Sequence, residues 1–490
     1  MKDGRLLKAQ ETTKVFAPMR DPFIPDVTRD SSVPMTRQIY EGIRHAIVSG
    51  GLTQGSRLSS WQDLAAQLGV SRGTVRRAYE LLKEDQLITT KGAGGTLVAQ
   101  PPPRALGAGA NTKPKGLFYD FQGGHQYFQM GIPAQDQFPH KTWLTAWRRA
   151  LSSERSLQLI YPDPRGLLSL RKEIASYLAA ARGLKCTPDR VFITSGFTGA
   201  LGIVLAVLKV QGQRALVEEP GFPRIREALH QAGIQPVGVE VDEEGIVISR
   251  ARSADTIRLA VITPGQQAPL GMPLSRERRR QMMQWASEVD GWIVEDDYAG
   301  ELQLSGKAVP ALAADDGEGR IFHIGSFSKT LNPGLRVGYL VVPEIWVARF
   351  EGYVAHLAPA GSIVTQQAIQ HFMSGGHYAR HLRRMKRLYN ERKMLLVSTL
   401  QRLLPREIEC SFEGGLSVRL ILPFGVDDEA AATKSQLARL GAIPLSTWYQ
   451  GANATSGLIL GIANVHEDTV ESKCRDLLNS IGASGFIRGA

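Results

Sequence analysis

Ser326-Phe327-Ser328-Lys329, with Arg336 seven residues further on, puts an amine, two hydroxyls and a guanidinium into one short stretch. Strand-like apolar runs at 321–325 and 337–342 flank it, so the lysine is expected in the turn after a strand and not on a helix face. An amine in that position can attack a carbonyl once apolar surroundings lower its proton affinity, while the hydroxyls and the arginine can take a phosphate. An aldehyde that also carries a phosphate suits this set, and pyridoxal phosphate (PLP) has that chemistry. Taken alone, the stretch fits a solvated lysine in a serine-rich turn better.

Other groups fall at the ends of further strand-like runs. After 191–194 come Ser195-Gly196-Phe197-Thr198 and the start of a helix, whose free N–H groups form a phosphate cup. After 215–218 comes Pro220-Gly221-Phe222, an aromatic ring able to lie on a flat cofactor. After 257–262 comes Thr263-Pro264-Gly265-Gln266, and after 292–295 come Asp296 and Tyr298. A carboxylate there can keep a pyridine nitrogen protonated, and a phenol can reach a ring oxygen. Each group also has an ordinary explanation: Gly196 as a turn, Phe222 as core, Asp296 as a helix cap, Tyr298 as surface. Their coincidence at successive strand ends is what argues for one site.

Helical stretches separate most of these runs, which predicts a mainly parallel sheet with both faces covered. Ligands gather beyond the carboxyl ends of such strands. From His377 a long basic helix, further strands and a final helix predict a small C-terminal α/β subdomain. Its arginines and lysine, Arg380, Arg383, Arg384, Lys386 and Arg387, read as a solvated face, with a second DNA contact as the alternative.

The front of the chain is built differently. Residues 1–115 hold 17 Lys and Arg against 10 Asp and Glu, so most of the net charge of +11 lies in the first quarter of the chain. Apolar residues at helical spacing run from Ile39 to Ile47. A short helix is predicted over Trp61–Leu68, Gly69 supplies a turn, and Ser71 caps a second helix from Arg72 to about Glu84. This is a helix-turn-helix whose second helix presents Arg72, Thr74, Arg76 and Arg77 to a major groove. Two strands, 87–90 and 96–98, joined through Lys91-Gly92-Ala93-Gly94-Gly95, form a wing. Arg57, Ser60, Ser71, Lys91 and Gly92 complete the candidate DNA contacts.

The expected organisation is a disordered leader (1–33), a winged DNA-binding domain (34–100), a Pro- and Gly-rich linker (101–116) and an α/β domain (117–490). No apolar run is long enough to cross a bilayer, and no signal core precedes the first domain. Cys186, Cys410 and Cys474 show no metal-ligand spacing, which fits a reducing cytoplasm with no metal site.

Residues 34–99 resemble the GntR-type winged helix, through the glycine and leucine pattern from Gly50 to Ser60 and Val70-Ser71-Arg72-x-Thr74-Val75. Ser59 replaces that family's proline and Gln62 an arginine. Residues from about 117 to 482 resemble the fold-type I, PLP-dependent aminotransferases of class I and II. The matching segments are Tyr161-x-Asp163-x-x-Gly166, Thr194-Ser195-Gly196, Glu219-Pro220-Gly221-Phe222, Thr263-Pro264, Glu295-Asp296-Asp297-Tyr298 and Ser326-Phe327-Ser328-Lys329 with Arg336. The two together resemble the MocR/GabR-type bacterial transcription regulators.

That resemblance implies that Lys329 forms the Schiff base with PLP, Asp296 pairs with the pyridine nitrogen, Tyr298 touches the ring hydroxyl and Phe222 stacks on the ring. Gly196, Phe197, Thr198, Ser326, Ser328 and Arg336 surround the phosphate. Tyr161 reaches the phosphate of a partner subunit, which implies a homodimer. Gln266 stands where relatives have histidine or asparagine. Ile459 stands where aminotransferases place the arginine that grips the substrate carboxylate. Arg224 is the candidate anchor for an effector's acid group. The expected function is a cytoplasmic regulator that binds an operator in double-stranded DNA and responds to an amine or amino acid at the PLP site. One rival reading is a working aminotransferase with an accessory DNA-binding domain, and another is a repressor whose aminotransferase-like half is only a dimerising scaffold without cofactor.

Overall fold

The computed structural model describes residues 23–29, 31, 33–90, 95–99, 124–153, 161–251, 256–304, 309–412, 415–451 and 454–481. The chain divides into two compact units, residues 1–113 and 114–490.

In the first unit, helix α1 (Met35–Val48) buries Ile39, Ile43, Ala46 and Ile47. Helix α2 (Trp61–Leu68) starts at Ser60, whose Oγ accepts from the Asp63 N–H, and ends at Gly69 with φ +62°, a left-handed turn that a glycine adopts without strain. Helix α3 (Arg72–Glu84) starts at Ser71, which accepts from the Thr74 N–H. Each such cap contributes about 1 kcal/mol. Strands β1 (Arg57–Leu58), β2 (Ile88–Thr90) and β3 (Thr96–Val98) form an antiparallel sheet in the order β1-β3-β2. Val75, Ala78 and Leu82 of α3 pack with Leu64, Ile88 and Val98 into one core.

This core also takes up the end of the leader. Phe23 and Val27 pack against it, Thr28 N–H donates to Gln38 Oε1 at 2.8 Å, and Arg29 donates to the Gly69 carbonyl at 2.9 Å. Residues 23–29 are therefore part of the domain and not of a disordered leader. The expected linker, 101–116, and the wing residues Lys91 and Gly92 lie outside the described residues.

The second unit is built on an eight-stranded sheet in the order β4-β11-β10-β9-β8-β5-β6-β7. Its strands are β4 (Val191–Thr194), β5 (Arg214–Glu219), β6 (Gln235–Asp242), β7 (Gly245–Ile246), β8 (Leu259–Ile262), β9 (Trp292–Asp297), β10 (Ile321–Ser326) and β11 (Gly338–Val341). All but β7 and β11 run parallel. The carboxyl ends of β4, β5, β8, β9 and β10 thus share one edge. Helices α4 (His140–Leu151), α5 (Leu168–Arg182), α6 (Phe197–Leu208), α7 (Pro223–Gln231), α8 (Arg276–Glu288), α9 (Val347–Leu357) and α10 (Ile363–Ser374) are distributed along this unit.

The long helix α11 (His377–Leu403) leads to a smaller antiparallel sheet in the order β12-β13-β15-β14. It contains β12 (Glu409–Ser411), β13 (Ser417–Ile421), β14 (Ile443–Pro444) and β15 (Gly457–Gly461), and is accompanied by α12 (Asp428–Leu437) and α13 (Val470–Ser480). A single apolar cluster joins α5, α10 and α11 to β13 and β15, so this subdomain shares its core with the large sheet.

Candidate functional site

Lys329 lies just past β10, as the sequence predicts. Its Nζ donates to the Gly131 carbonyl at 2.8 Å. Burial and the nearby Arg224 charge bring its pKa down to about 8, against the opposing pull of Asp296. The amine therefore loses its proton far more readily than an exposed lysine.

Three successive acids end β9, and each meets a different environment. Glu295 accepts from the Leu312 and Ala313 N–H groups and faces His323 Nδ1 at 2.9 Å. Asp297 takes a two-point grip from Arg182, at 2.8 and 2.9 Å, with both side chains out of solvent. For Asp296, between them, burial and the surrounding carboxylates push the pKa well above the ordinary range, and Lys329 opposes that shift. The Tyr298 phenol is likewise pushed up by burial and by Asp296.

Gly196 has φ +87° and precedes α6, so the helix opens with its first N–H groups at Phe197 and Thr198. A Cβ on Gly196 would lie 3.9 Å from the Arg336 guanidinium, which itself donates to the Ser195 carbonyl at 3.0 Å. Ser326 Oγ donates to Ser328 Oγ at 2.9 Å in the adjoining turn. Phe222 is the residue just before α7, and its ring lies 5.6 Å from Trp448, tilted by 35°. Gln266 gives its Nε2 to the Ala299 carbonyl, leaving its buried Oε1 without a hydrogen-bond partner among the described residues. Tyr161 is wholly exposed and is not brought to this set within one chain.

In the first unit, Arg57, Arg72, Arg76 and Arg77 are exposed. Arg76 and Arg77 both reach Glu80, at 3.2 and 3.3 Å, and the Arg57 guanidinium lies over Gly95 at the start of β3. Ser60 and Ser71 are occupied as helix caps, and Thr74 shares its hydroxyl with Ser71 at 2.7 Å.

Residues 35–98 match the family Bacterial regulatory proteins, gntR family, and residues 128–417 match Aminotransferase class I and II. The chain is 33% identical over 475 residues to the probable rhizopine catabolism regulatory protein MocR of Rhizobium meliloti, covering 94% of this chain and 95% of that one. It belongs to the MocR-type regulators. Another relative is the pyridoxine biosynthesis transcriptional regulator PdxR of Corynebacterium glutamicum, 31% identical over 447 residues, or 90% of this chain and 94% of that one. The second unit is similar to the α-aminoadipate aminotransferase LysN of Thermus thermophilus, with 25% identity and a TM-score of 0.64 over 73% of this chain and 92% of that one. As in that family, a DNA-binding unit is followed by an aminotransferase-like one, and the protein is a transcription regulator.

Several residues around this family's pocket were missed from sequence alone. Gly131, which receives the Lys329 amine, lies in a segment without periodicity. Phe128 in that segment bonds through its N–H to the Leu440 carbonyl at 2.6 Å and through its carbonyl to the Gly461 N–H at 2.7 Å, so it is tied to the small sheet. Glu218 at the end of β5 accepts from Thr263 N–H and Oγ1 at 3.0 and 2.6 Å, and burial still raises its pKa to about 7. Arg226, two residues past Arg224, bonds to the Gly221 carbonyl at 2.9 Å and the Trp448 carbonyl at 2.7 Å, fastening the small subdomain to the large one. Ile459, which the sequence did single out, is fully buried, and its cluster with Leu445, Trp448 and Ala268 packs against Phe222 and Tyr298.

Proposed function

We propose that this regulator holds PLP at Lys329 and senses an amine or amino acid there, changing its affinity for an operator. The observation that carries the proposal is an amine with a pKa near 8 beside a buried carboxyl that forms no ion pair among the described residues. The donor set fits the coenzyme. Gly196, Phe197 and Thr198 at the start of α6, with Ser326, Ser328 and Arg336, supply N–H, hydroxyl and guanidinium groups for a phosphate. Asp296 supplies a carboxylate for the pyridine nitrogen, and Tyr298 and Phe222 supply a phenol and an aromatic face. When bound, PLP supplies an aldehyde that condenses reversibly with primary amines.

The chain's own residues set what is sensed and how it is transmitted. Ile459 offers an incoming acid group no charge, and an apolar cluster covers it, which favours recognition over sustained amino-group transfer. Arg224 would attract the acid group of an effector, and Gln266 Oε1, without a hydrogen-bond partner among the described residues, can accept from an ammonium or hydroxyl. Lys329 holds Gly131, whose segment is tied to the small sheet. Any change in what the Lys329 amine binds therefore alters how that subdomain is held. The shift in operator affinity is bounded by the effector's difference in affinity for the two states. Tyr161, exposed in one chain, would serve a second subunit in a homodimer, and the site of action would be the cytoplasm.

The test is spectroscopic. Dialysed protein titrated with PLP should gain a visible absorption band that responds to primary amines, and Lys329→Ala should lose the band while keeping operator binding. A colourless wild-type protein that ignores added PLP would refute the proposal.

A further inference from the structure

The basic face at the start of α11 is more than solvated charge. His377, Arg380, His381 and Arg384 recur at helical spacing on one side of that helix. With Thr142 of α4 and Phe372 of α10 they line a pocket of about 190 Å³. Arg383 and Arg387 lie elsewhere on the helix, and Arg387 reaches Glu391 at 3.7 Å. Arg380 bonds to His377 Nδ1 and the Gly375 carbonyl at 2.8 and 2.9 Å, and Arg384 to the Gln137 carbonyl at 2.5 Å. Among the described residues, neither arginine has a carboxylate within salt-bridge distance. In the same unit Arg182, Arg278, Arg279 and Arg320 all have one.

The second observation is His381. It is only 5% exposed, its Nε2 donates to the Thr330 carbonyl at 2.8 Å, and its buried Nδ1 has no hydrogen-bond partner among the described residues. In the neutral ring Nδ1 is an acceptor; the charged and titratable groups around the pocket are His377, Arg380 and Arg384 on α11, with Arg149 of α4 acting on His377 and on His371 of α10. Burial and Arg384 lower the proton affinity of His381. Burial does the same to His371 and His377, helped by Arg149 at His371 and by Arg380 and Arg149 at His377. An anion reverses that balance, because a protonated Nδ1 becomes a donor to it.

We propose that this pocket binds a small, free oxyanion, a phosphate- or carboxylate-bearing molecule, at a site separate from the phosphate cup of α6. The depth of the imidazole favours a free small molecule over a phosphate of duplex DNA, which the exposed arginines would meet first. Occupancy reaches the Lys329 turn directly. His381 holds the Thr330 carbonyl, and the Tyr378 hydroxyl lies 3.1 Å from Thr330 Oγ1.

Inorganic sulfate is the probe, because it does not titrate in the histidine range. Calorimetric titration of the full, coenzyme-free chain should show two sulfate sites. Arg336→Gln should remove the α6 site, and Arg380→Gln with Arg384→Gln should remove the other. Both arginines are exposed, so these variants keep the fold. At the α11 site the logarithm of the affinity should fall with rising pH by up to about one per pH unit for one linked proton. His381→Gln keeps a donor for the Thr330 carbonyl, so it should bind sulfate about tenfold more weakly and flatten that slope. Sulfate binding by the double arginine variant equal to that of the parent would overturn the proposal, as would loss of all binding in Arg336→Gln. Displacement of this sulfate by duplex DNA would overturn the free-anion assignment. Because no coenzyme is used, failure here leaves the reading of Lys329 untouched, and failure of that reading leaves this one.

Discussion

Replacing Lys329 by methionine should make the coenzyme-free protein more stable near neutral pH. The amine's pKa stands at about 8 in the fold against an ordinary value of 10.5. A base whose folded pKa is depressed binds fewer protons in the native than in the unfolded state between those two values, so stability rises with pH across that window. Below about pH 8 the amine is charged in both states, and the full cost of keeping it in this site is present. At about 1.4 kcal/mol per pH unit, that cost is about 3 kcal/mol. Lys329 is only part-buried, and solvent screening reduces the figure to about 2 kcal/mol. Methionine leaves the Gly131 carbonyl without its donor, a loss of about 1 kcal/mol. The expected net gain is about 1 kcal/mol near neutral pH, vanishing or reversing at about pH 10. Urea unfolding of dialysed parent and Lys329→Met proteins across this range measures it. A variant less stable than the parent at neutral pH, or a difference that does not shrink as pH rises, would refute the account of the lowered pKa.

Asp296→Asn should likewise stabilise the coenzyme-free protein above the ordinary carboxylate range. A raised folded pKa means that stability is complete below the unfolded pKa and is lost as pH rises past it. The same variant should retain less PLP after dialysis, and full retention measured by absorbance would contradict the pyridinium role. Arg182→Leu should destabilise the second unit by about 3–5 kcal/mol, because it leaves Asp297 buried without its partner; a shift below about 1 kcal/mol in urea unfolding would show that water reaches the pair. Arg76→Ala and Arg77→Ala should each lower the salt dependence of operator binding by up to about 0.9 for each DNA phosphate that the arginine neutralises. Their exposed pairs with Glu80 are weak enough to yield to DNA, and unchanged slopes in filter or anisotropy titrations would remove them from the interface.

The parts legible in the sequence were those fixed by local chemistry. Ser60, Gly69 and Ser71 mark the ends of α2 and the start of α3 because a cap or a left-handed turn needs only its neighbours. The strand-end residues from Gly196 to Lys329 were legible because a parallel sheet carries every such end to one edge. What escaped depends on partners distant in the chain. Strand β6 alternates too weakly, through Pro236 and Gly238, to register as an apolar run. Arg182 ends a helix and reads as a solvated charge, but it closes on Asp297, 115 residues away, and is buried. Arg380 and Arg384 read the same way, and only the packing of α4 and α10 against α11 shows which of the basic residues share a wall.

The three acids closing β9 show what sets apart the carboxylate that the sequence singled out. Alternation along the strand sends Glu295 and Asp297 to one face and Asp296 to the other. The first face holds Arg182 and His323, and both acids there are matched by fixed donors, so neither can serve an exchangeable ligand without giving up a partner. Asp296 alone faces Lys329, whose own charge is easily lost near pH 8. Among the three, only a carboxyl whose neighbouring cation can be discharged gains by accepting a protonated ring nitrogen. In the role proposed for it, the burial that raises the Asp296 pKa also favours a cation beside it, so the cost to the coenzyme-free fold and the hold on the coenzyme should change together in any substitution at this position.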